Sequence, residues 1–147
     1  MTDKAERFVR WQGHTMAQMS VVLALLGSLS IGGLGLCFSL LQQGSFKPTG
    51  CYATAFLLTL VALFIASLSS ITATVTRLLD FRLTAQKVRS GDQDEPLTYF
   101  GTDATGYGKA TWRLFWCAAV SLFIAVVLLS VVITKVYLGS LINASGL

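Results

Sequence analysis

The chain has 147 residues, 54% of them hydrophobic and 12% charged, with a net charge of +4 and a mean hydropathy of +0.67. Soluble domains carry about 25% charged residues. The composition therefore excludes an ordinary water-soluble fold and points to one membrane domain of a few helices, in which the placement of charge matters more than its sum.

The N-terminal segment carries Lys4, Arg7 and Arg10. Asp3 with Glu6 three residues later resembles a capping box. This predicts a short helix with Phe8 and Trp11 on its apolar side, lying in the headgroup plane. Gly13 weakens its junction with the first apolar window. His14 is the single histidine, so no multi-histidine metal site or Ser-His-Asp triad can be built within one chain.

From Thr15 to Phe46 no ionisable acid or base occurs. A bilayer core about 30 Å thick needs roughly 20 apolar helical residues to cross. This window would run about 48 Å if wholly helical, so the first span, residues 17–41, must tilt or protrude. It is too long for the apolar region of a signal peptide, and we read it as an uncleaved anchor. LGLC (Leu34 to Cys37) is not a lipoprotein site, because Leu36 is too bulky beside the cysteine. Ser20, Ala24, Ser28 and Gly32 form a row of small residues every four positions. Such rows let helix backbones approach one another in lipid.

The connection QQGSFKPTGCY carries only Lys47. A second window without acids or bases, Pro48 to Thr76, holds the second span, residues 53–76. Ala62, Ala66, Ser70 and Thr74 form its small-residue row. Its hydroxyls at Ser67, Ser69, Ser70, Thr72, Thr74 and Thr76 either line a wet path in an oligomer or bond to their own helix carbonyls. The charged stretch RLLDFRLTAQKVR, Arg77 to Arg89, follows directly. It has no Gly or Pro and is rich in helix formers, so the second span should continue as one helix and stop at Ser90-Gly91. Arg77 and Asp80 stand three apart, the spacing of a weak intrahelical ion pair.

The rest of the loop 77–111 is too short for a domain with its own core. An ordered turn region packed on the helix ends is expected over Ser90 to Lys109. GTDATGYGKAT (Gly101 to Thr111) lacks the spacing of a phosphate-binding loop. DQDEP (Asp92 to Pro96) opens no calcium loop, because Leu97 stands where Gly is required. The third span, residues 112–136, rests on a third window without acids or bases, Leu114 to Thr134. Cys117, Ser121 and Ala125 form its small-residue row. Cys37, Cys51 and Cys117 form no CxxC pair and read as small packing residues. A bridge between protomers through Cys51 is the alternative if that residue faces an oxidising compartment.

The N-terminal segment and the second connection together hold nine of the eleven basic residues. Arg77, Arg82, Lys87, Arg89, Lys109 and Arg113 make the second connection the basic surface. The positive-inside rule then places the N-terminus and this loop in the cytoplasm, and the short loop and C-terminus outside. Trp11, Trp112 and Trp116 would lie at the cytoplasmic interface, with Phe46, Tyr52 and Tyr137 at the outer one.

FRLTAQKVR, Phe81 to Arg89, is similar to the aromatic-Arg-x-Thr-Ala-x-x-x-Arg pattern that follows the second span of the SLATT family. The resemblance covers roughly residues 16–89: two spans, a short outer turn and a basic helix. It implies a small bacterial membrane protein of nucleotide-signalling and antiviral systems, acting as a pore-forming effector. Trp112 to Val136 stands where that family would carry a cytoplasmic helical tail.

The expected fold is an all-α membrane protein of three transmembrane helices. It carries a short N-terminal interfacial helix and a cytoplasmic extension of the second span. The expected function is that of a non-enzymatic, oligomeric protein of a bacterial inner membrane, either a pore-forming or membrane-perturbing effector or an accessory subunit anchoring a cytoplasmic partner. No acid or base lies inside a span, so a proton relay or ion-coupled transporter is not expected. No cofactor, metal or direct nucleic-acid binding is expected. The expected partners are the lipid bilayer, further copies of the chain, and a cytoplasmic protein or nucleotide.

Overall fold

Three apolar runs become three long helices: α1 (Thr2–Gln42), α2 (Cys51–Ser90) and α3 (Ala104–Ser145). The computed structural model describes residues 2–44, 46–90 and 104–145, with side chains described over 18–44, 46–83 and 106–137. In hydrocarbon a backbone must satisfy its own hydrogen bonds, which selects helix over any open alternative. This is why α1 stays helical through Gly27, Gly32, Gly33 and Gly35, although each glycine disfavours helix by about 1 kcal/mol in water.

Each helix contains a segment long and apolar enough to cross a membrane: Gln18–Gln42, Cys51–Leu83 and Gly106–Tyr137, with mean hydropathies of 2.2, 2.2 and 2.8. The helices themselves are longer. At 1.5 Å per residue each extends about 60 Å, roughly twice the thickness of the hydrocarbon core.

The boundaries differ from the sequence reading in two places. No separate N-terminal helix is seen, because α1 runs unbroken through Gly13. Helix α3 begins at Ala104, so Ala104 to Lys109 are helical and not part of a turn region. Gly106 and Gly108 do not stop this helix, because Tyr107 and Thr111 are buried there at 8% and 4% exposure. Tertiary packing outweighs local propensity at that point. The C-terminal end of α2 at Ser90 is where the sequence placed it.

Helix α2 packs antiparallel to both α1 and α3. Helix α2 is central, α1 packs on it, and α1 barely meets α3. The first turn is closed by Gln43 N–H to Leu40 O at 3.1 Å and Phe46 N–H to Gln43 O at 3.0 Å. Gly50 takes the left-handed φ of 57° just before α2, a conformation costly for residues with a Cβ. Phe46 folds back against Phe56, their rings 5.3 Å apart. Tyr137 Oη donates to Gln43 Oε1 at 2.9 Å and ties α3 to the end of α1.

The buried positions repeat every seven residues. In α1 they are Leu23, Ser30 and Cys37; in α3 they are Thr111, Ala118, Ala125 and Val132. In α2 a buried row alternates by three and four, Phe56, Thr59, Leu63, Ala66, Ser70 and Ala73, with Ser67 and Ser69 buried beside it. This is the 3.5-residue seam that lets helices keep one face together over many turns. Ser30, Cys37, Ala66, Ser70, Ala73, Ala118 and Ala125 of this seam are small, so backbones come close. A Cβ on Gly27 would stand 3.6 Å from Ser70 Cβ, and one on Gly33 would stand 3.0 Å from Leu63 Cδ2.

The exterior is apolar. Phe123, Leu78, Phe81, Leu29, Leu57, Phe38 and Phe64 are each more than half exposed, while Ser30, Thr59, Ser67, Ser69, Ser70 and Thr111 lie inside. Large side chains outside and hydroxyls inside suit a hydrocarbon surround and not water.

Candidate functional site

At the end of the bundle formed by the start of the α1 span, the end of the α2 span and the start of α3, residues of all three helices line an open cleft. Its volume is about 180 Å³, and it is lined by Met19, Arg77, Asp80, Phe81, Gly108, Thr111 and Trp112. Arg77 and Asp80 continue the three-four alternation that buries Phe56 to Ala73. This register turns them toward α3, and both are half-buried. They interact electrostatically with each other. Across from them Gly108 leaves room: a Cβ there would meet Asp80 Oδ2 at 4.0 Å.

The inner wall is held by hydroxyls. Thr76 Oγ1 and Thr111 Oγ1 are 2.9 Å apart. Thr111 Oγ1 donates to Tyr107 O at 2.9 Å and Thr76 Oγ1 to Ala73 O at 3.0 Å, so in the bond between the two hydroxyls one proton is directed away from its own carbonyl at a time. About two turns further in, Ser69 Oγ lies 3.6 Å from Cys117 Sγ. The outer wall is aromatic. Trp112 stacks on Phe115 with ring centroids 5.6 Å apart, and Trp116 sits edge-on to Trp112 at 6.0 Å. Trp112 and Trp116 are 54% and 53% exposed, as indole rings at a membrane–water boundary are.

The sequence-predicted residues fall into separate places. Ser20, Ala24, Ser28 and Gly32 are exposed. The α1 row that packs on α2 is instead Leu23, Ser30 and Cys37. A Cβ on Gly32 or Gly35 would meet nothing within 4 Å. In α2, Ala66 and Ser70 are buried and Ala62 is half-buried, all within the bundle, while Thr74 is exposed. In the α3 row Ala125 is buried, Ser121 half-buried and Cys117 exposed. Arg77 lines the cleft, whereas Arg82, Lys109 and Arg113 are exposed outside its lining. The side chains of Lys87 and Arg89 lie outside the described residues, as do those of His14 and Trp11.

The α2 hydroxyls divide between faces. Ser67, Ser69 and Ser70 are buried, and Thr72 and Thr74 are exposed. Thr72 donates to Leu68 O at 2.8 Å and Thr74 to Ser70 O at 2.9 Å, each within its own helix. Ser30, Thr59 and Ser130 do the same, to Leu26 O, Ala55 O and Val126 O. Sequence reasoning missed Asp80, Gly108 and Thr111 as parts of a site. The signal was the three-four alternation from Phe56 to Ala73, which carries directly to Arg77 and Asp80.

No protein-family model, curated protein or solved structure matches this chain.

Proposed function

We propose that this chain is a multi-pass protein of a bacterial inner membrane that works without catalysis, as an oligomer, to perturb the bilayer as a pore-forming effector of antiviral defence. The observation that carries the oligomeric reading is the outer face of α1. Ser20, Ala24, Ser28, Gly32, Gly35 and Ser39 are exposed there, interleaved with Val21, Ile31 and Phe38. A row of small side chains on a membrane helix lets a second helix approach closely and gain van der Waals contact that lipid tails do not match. The effector reading is supported by the resemblance of Phe81–Arg89 to the SLATT pattern. The charge asymmetry supports a cytoplasmic N-terminus, a cytoplasmic extension of α2 and an outer C-terminus.

A second reading, an accessory subunit that anchors a cytoplasmic partner, is favoured by the interior of the single chain. Its buried Ser30, Thr59 and Thr111 hydroxyls donate to carbonyls of their own helices, and an anchor needs no conducting path. Regulated expression with a membrane-potential dye separates the two. Depolarisation that scales with cross-linked oligomer supports the effector. Full insertion and oligomerisation with an unchanged potential, alone and with the nucleotide-signalling trigger present, removes it and leaves the anchor.

A further inference from the structure

The cleft at this end of the bundle has the chemistry of a headgroup site. Its lining holds one guanidinium (Arg77), one carboxylate (Asp80), an indole (Trp112), and the apolar side chains of Met19 and Phe81. Its volume of about 180 Å³ is below the roughly 300–1,000 Å³ of pockets that enclose drug-sized ligands. The cleft therefore suits a fragment such as a headgroup and not an entire nucleotide. The two charges sit one helical turn apart on α2 and attract each other, so a ligand carrying both a phosphate and an ammonium would set its dipole against theirs and complete a four-charge cluster. A purely anionic headgroup would face Asp80 as well as Arg77. The cleft opens beside Trp112 and the exposed Phe81 and Leu78, which offer an apolar surface for acyl chains just outside it.

We infer that this cleft binds the zwitterionic headgroup of a primary-amine phospholipid of the phosphatidylethanolamine class, with the phosphate toward Arg77 and the ammonium toward Asp80. The inference rests on the reading that the three helices cross a bilayer. The ammonium supplies N–H donors to the carboxylate, and charge-assisted bonds of this kind are the strong ones. A trimethylated headgroup has the same charge and no N–H donor. That difference, together with the open side of Gly108 facing Asp80, sets the selectivity.

The test uses the purified full chain, equilibrated in vesicles of phosphatidylethanolamine, phosphatidylcholine or phosphatidylglycerol with identical acyl chains, then released for native mass spectrometry. Retention of phosphatidylethanolamine about tenfold above the other two is expected, the factor that one charge-assisted hydrogen bond supplies. Asp80→Asn should abolish the preference over phosphatidylcholine. Gly108→Met keeps both charges, fills the cleft, and should lower retention of the favoured lipid to the level of the others. Arg82→Gln, exposed and outside the lining, should keep the preference. Equal retention of all three lipids by the unaltered chain would overturn the site, whatever the variants do. Free phosphoethanolamine that displaces the lipid at equal concentration would overturn the lipid as the source of the headgroup. Alkaline extraction of the chain from membranes is the separate control: release would defeat the membrane reading itself, and with it this site.

Discussion

Gly32 and Gly33 are adjacent in α1 and face different surroundings. A Cβ on Gly33 would meet Leu63 Cδ2 at 3.0 Å, while one on Gly32 would meet nothing within 4 Å. Gly33→Leu should therefore destabilise the α1–α2 contact by about 1–3 kcal/mol, the usual cost of overpacking. Gly32→Leu should leave the single chain intact and weaken self-association by a similar amount, about 1–3 kcal/mol, if the outer face of α1 joins copies. Unfolding in mixed micelles reads the first effect, and oligomer distribution in lipid reads the second. An unchanged distribution for Gly32→Leu would remove that face as an interface. The hydroxyls give another contrast. Ser70 Oγ is enclosed, with the residue 2% exposed, and has no hydrogen-bond partner among the described residues. Thr111 Oγ1 bonds both to its own helix and to Thr76. Thr111→Val should cost about 0.6 kcal/mol, a typical interhelical hydrogen bond in a membrane. Ser70→Ala should be neutral or stabilising by up to about 1 kcal/mol, because it removes an unsatisfied buried group. A loss of stability for Ser70→Ala in the same micelle assay would show that its hydroxyl has a partner after all.

Helix α2 shows how far periodicity could be read from the sequence. Its apolar window, its continuation through RLLDFRLTAQKVR and its end at Ser90 followed from the absence of charge and of helix breakers. The inward face did not follow. A row at four-residue spacing drifts around a helix that repeats every 3.6 residues, so the row Ala62, Ala66, Ser70 and Thr74 starts half-buried and ends exposed. The true seam alternates by three and four. Heptad reading normally relies on apolar against polar contrast, and a span that is apolar on every side offers none. The same reason hid the packing face of α1: Leu23, Ser30 and Cys37 share no residue type that marks them as inward. The start of α3 at Ala104 was obscured by Gly106 and Gly108, whose low helix propensity is overridden where Tyr107 and Thr111 pack. Carried past Ala73, the alternation assigns Arg77 and Asp80 to the cleft and leaves Arg82 exposed. The triple replacement of Arg82, Lys87 and Arg89 by Gln tests whether this extension receives a signal. If it does, the variant should insert and oligomerise normally but lose membrane depolarisation. If it is only a topological anchor, orientation should persist, because Arg77, Lys109, Arg113 and the N-terminal bases remain. Full depolarisation at equal inserted amounts would sink the receptor role.

At the scale of the whole molecule, the three cysteines report on arrangement and orientation together. A thiol reacts through its thiolate, which forms where water reaches it. Cys37 is fully buried in the bundle core and packs with Phe46, Phe56 and Leu63, so no aqueous reagent should reach it in the folded protein. Cys117 is exposed, but it lies well inside the Gly106–Tyr137 segment, beside the exposed Trp116 and Val120. In a bilayer its surround is lipid, so a water-borne reagent should reach it slowly. In detergent, where water penetrates more freely, it should label faster. Cys51 is exposed at the first position of α2, directly after Gly50. It lies at the end of the molecule away from the basic surface, which holds nine of the eleven lysines and arginines with the N-terminal segment. If the basic end faces the cytoplasm, as the positive-inside rule directs, a membrane-impermeant maleimide added to intact cells should label Cys51 alone. A tag after Leu147 should be accessible from the same side. Replacing Cys51 with Ser should remove the labelling and leave the fold unchanged, since no contact of Cys51 supports the core cluster. Labelling that appears only after cells are opened would invert the orientation. Rapid labelling of Cys117 in intact membranes would have a different meaning: a water-filled path along that face of α3.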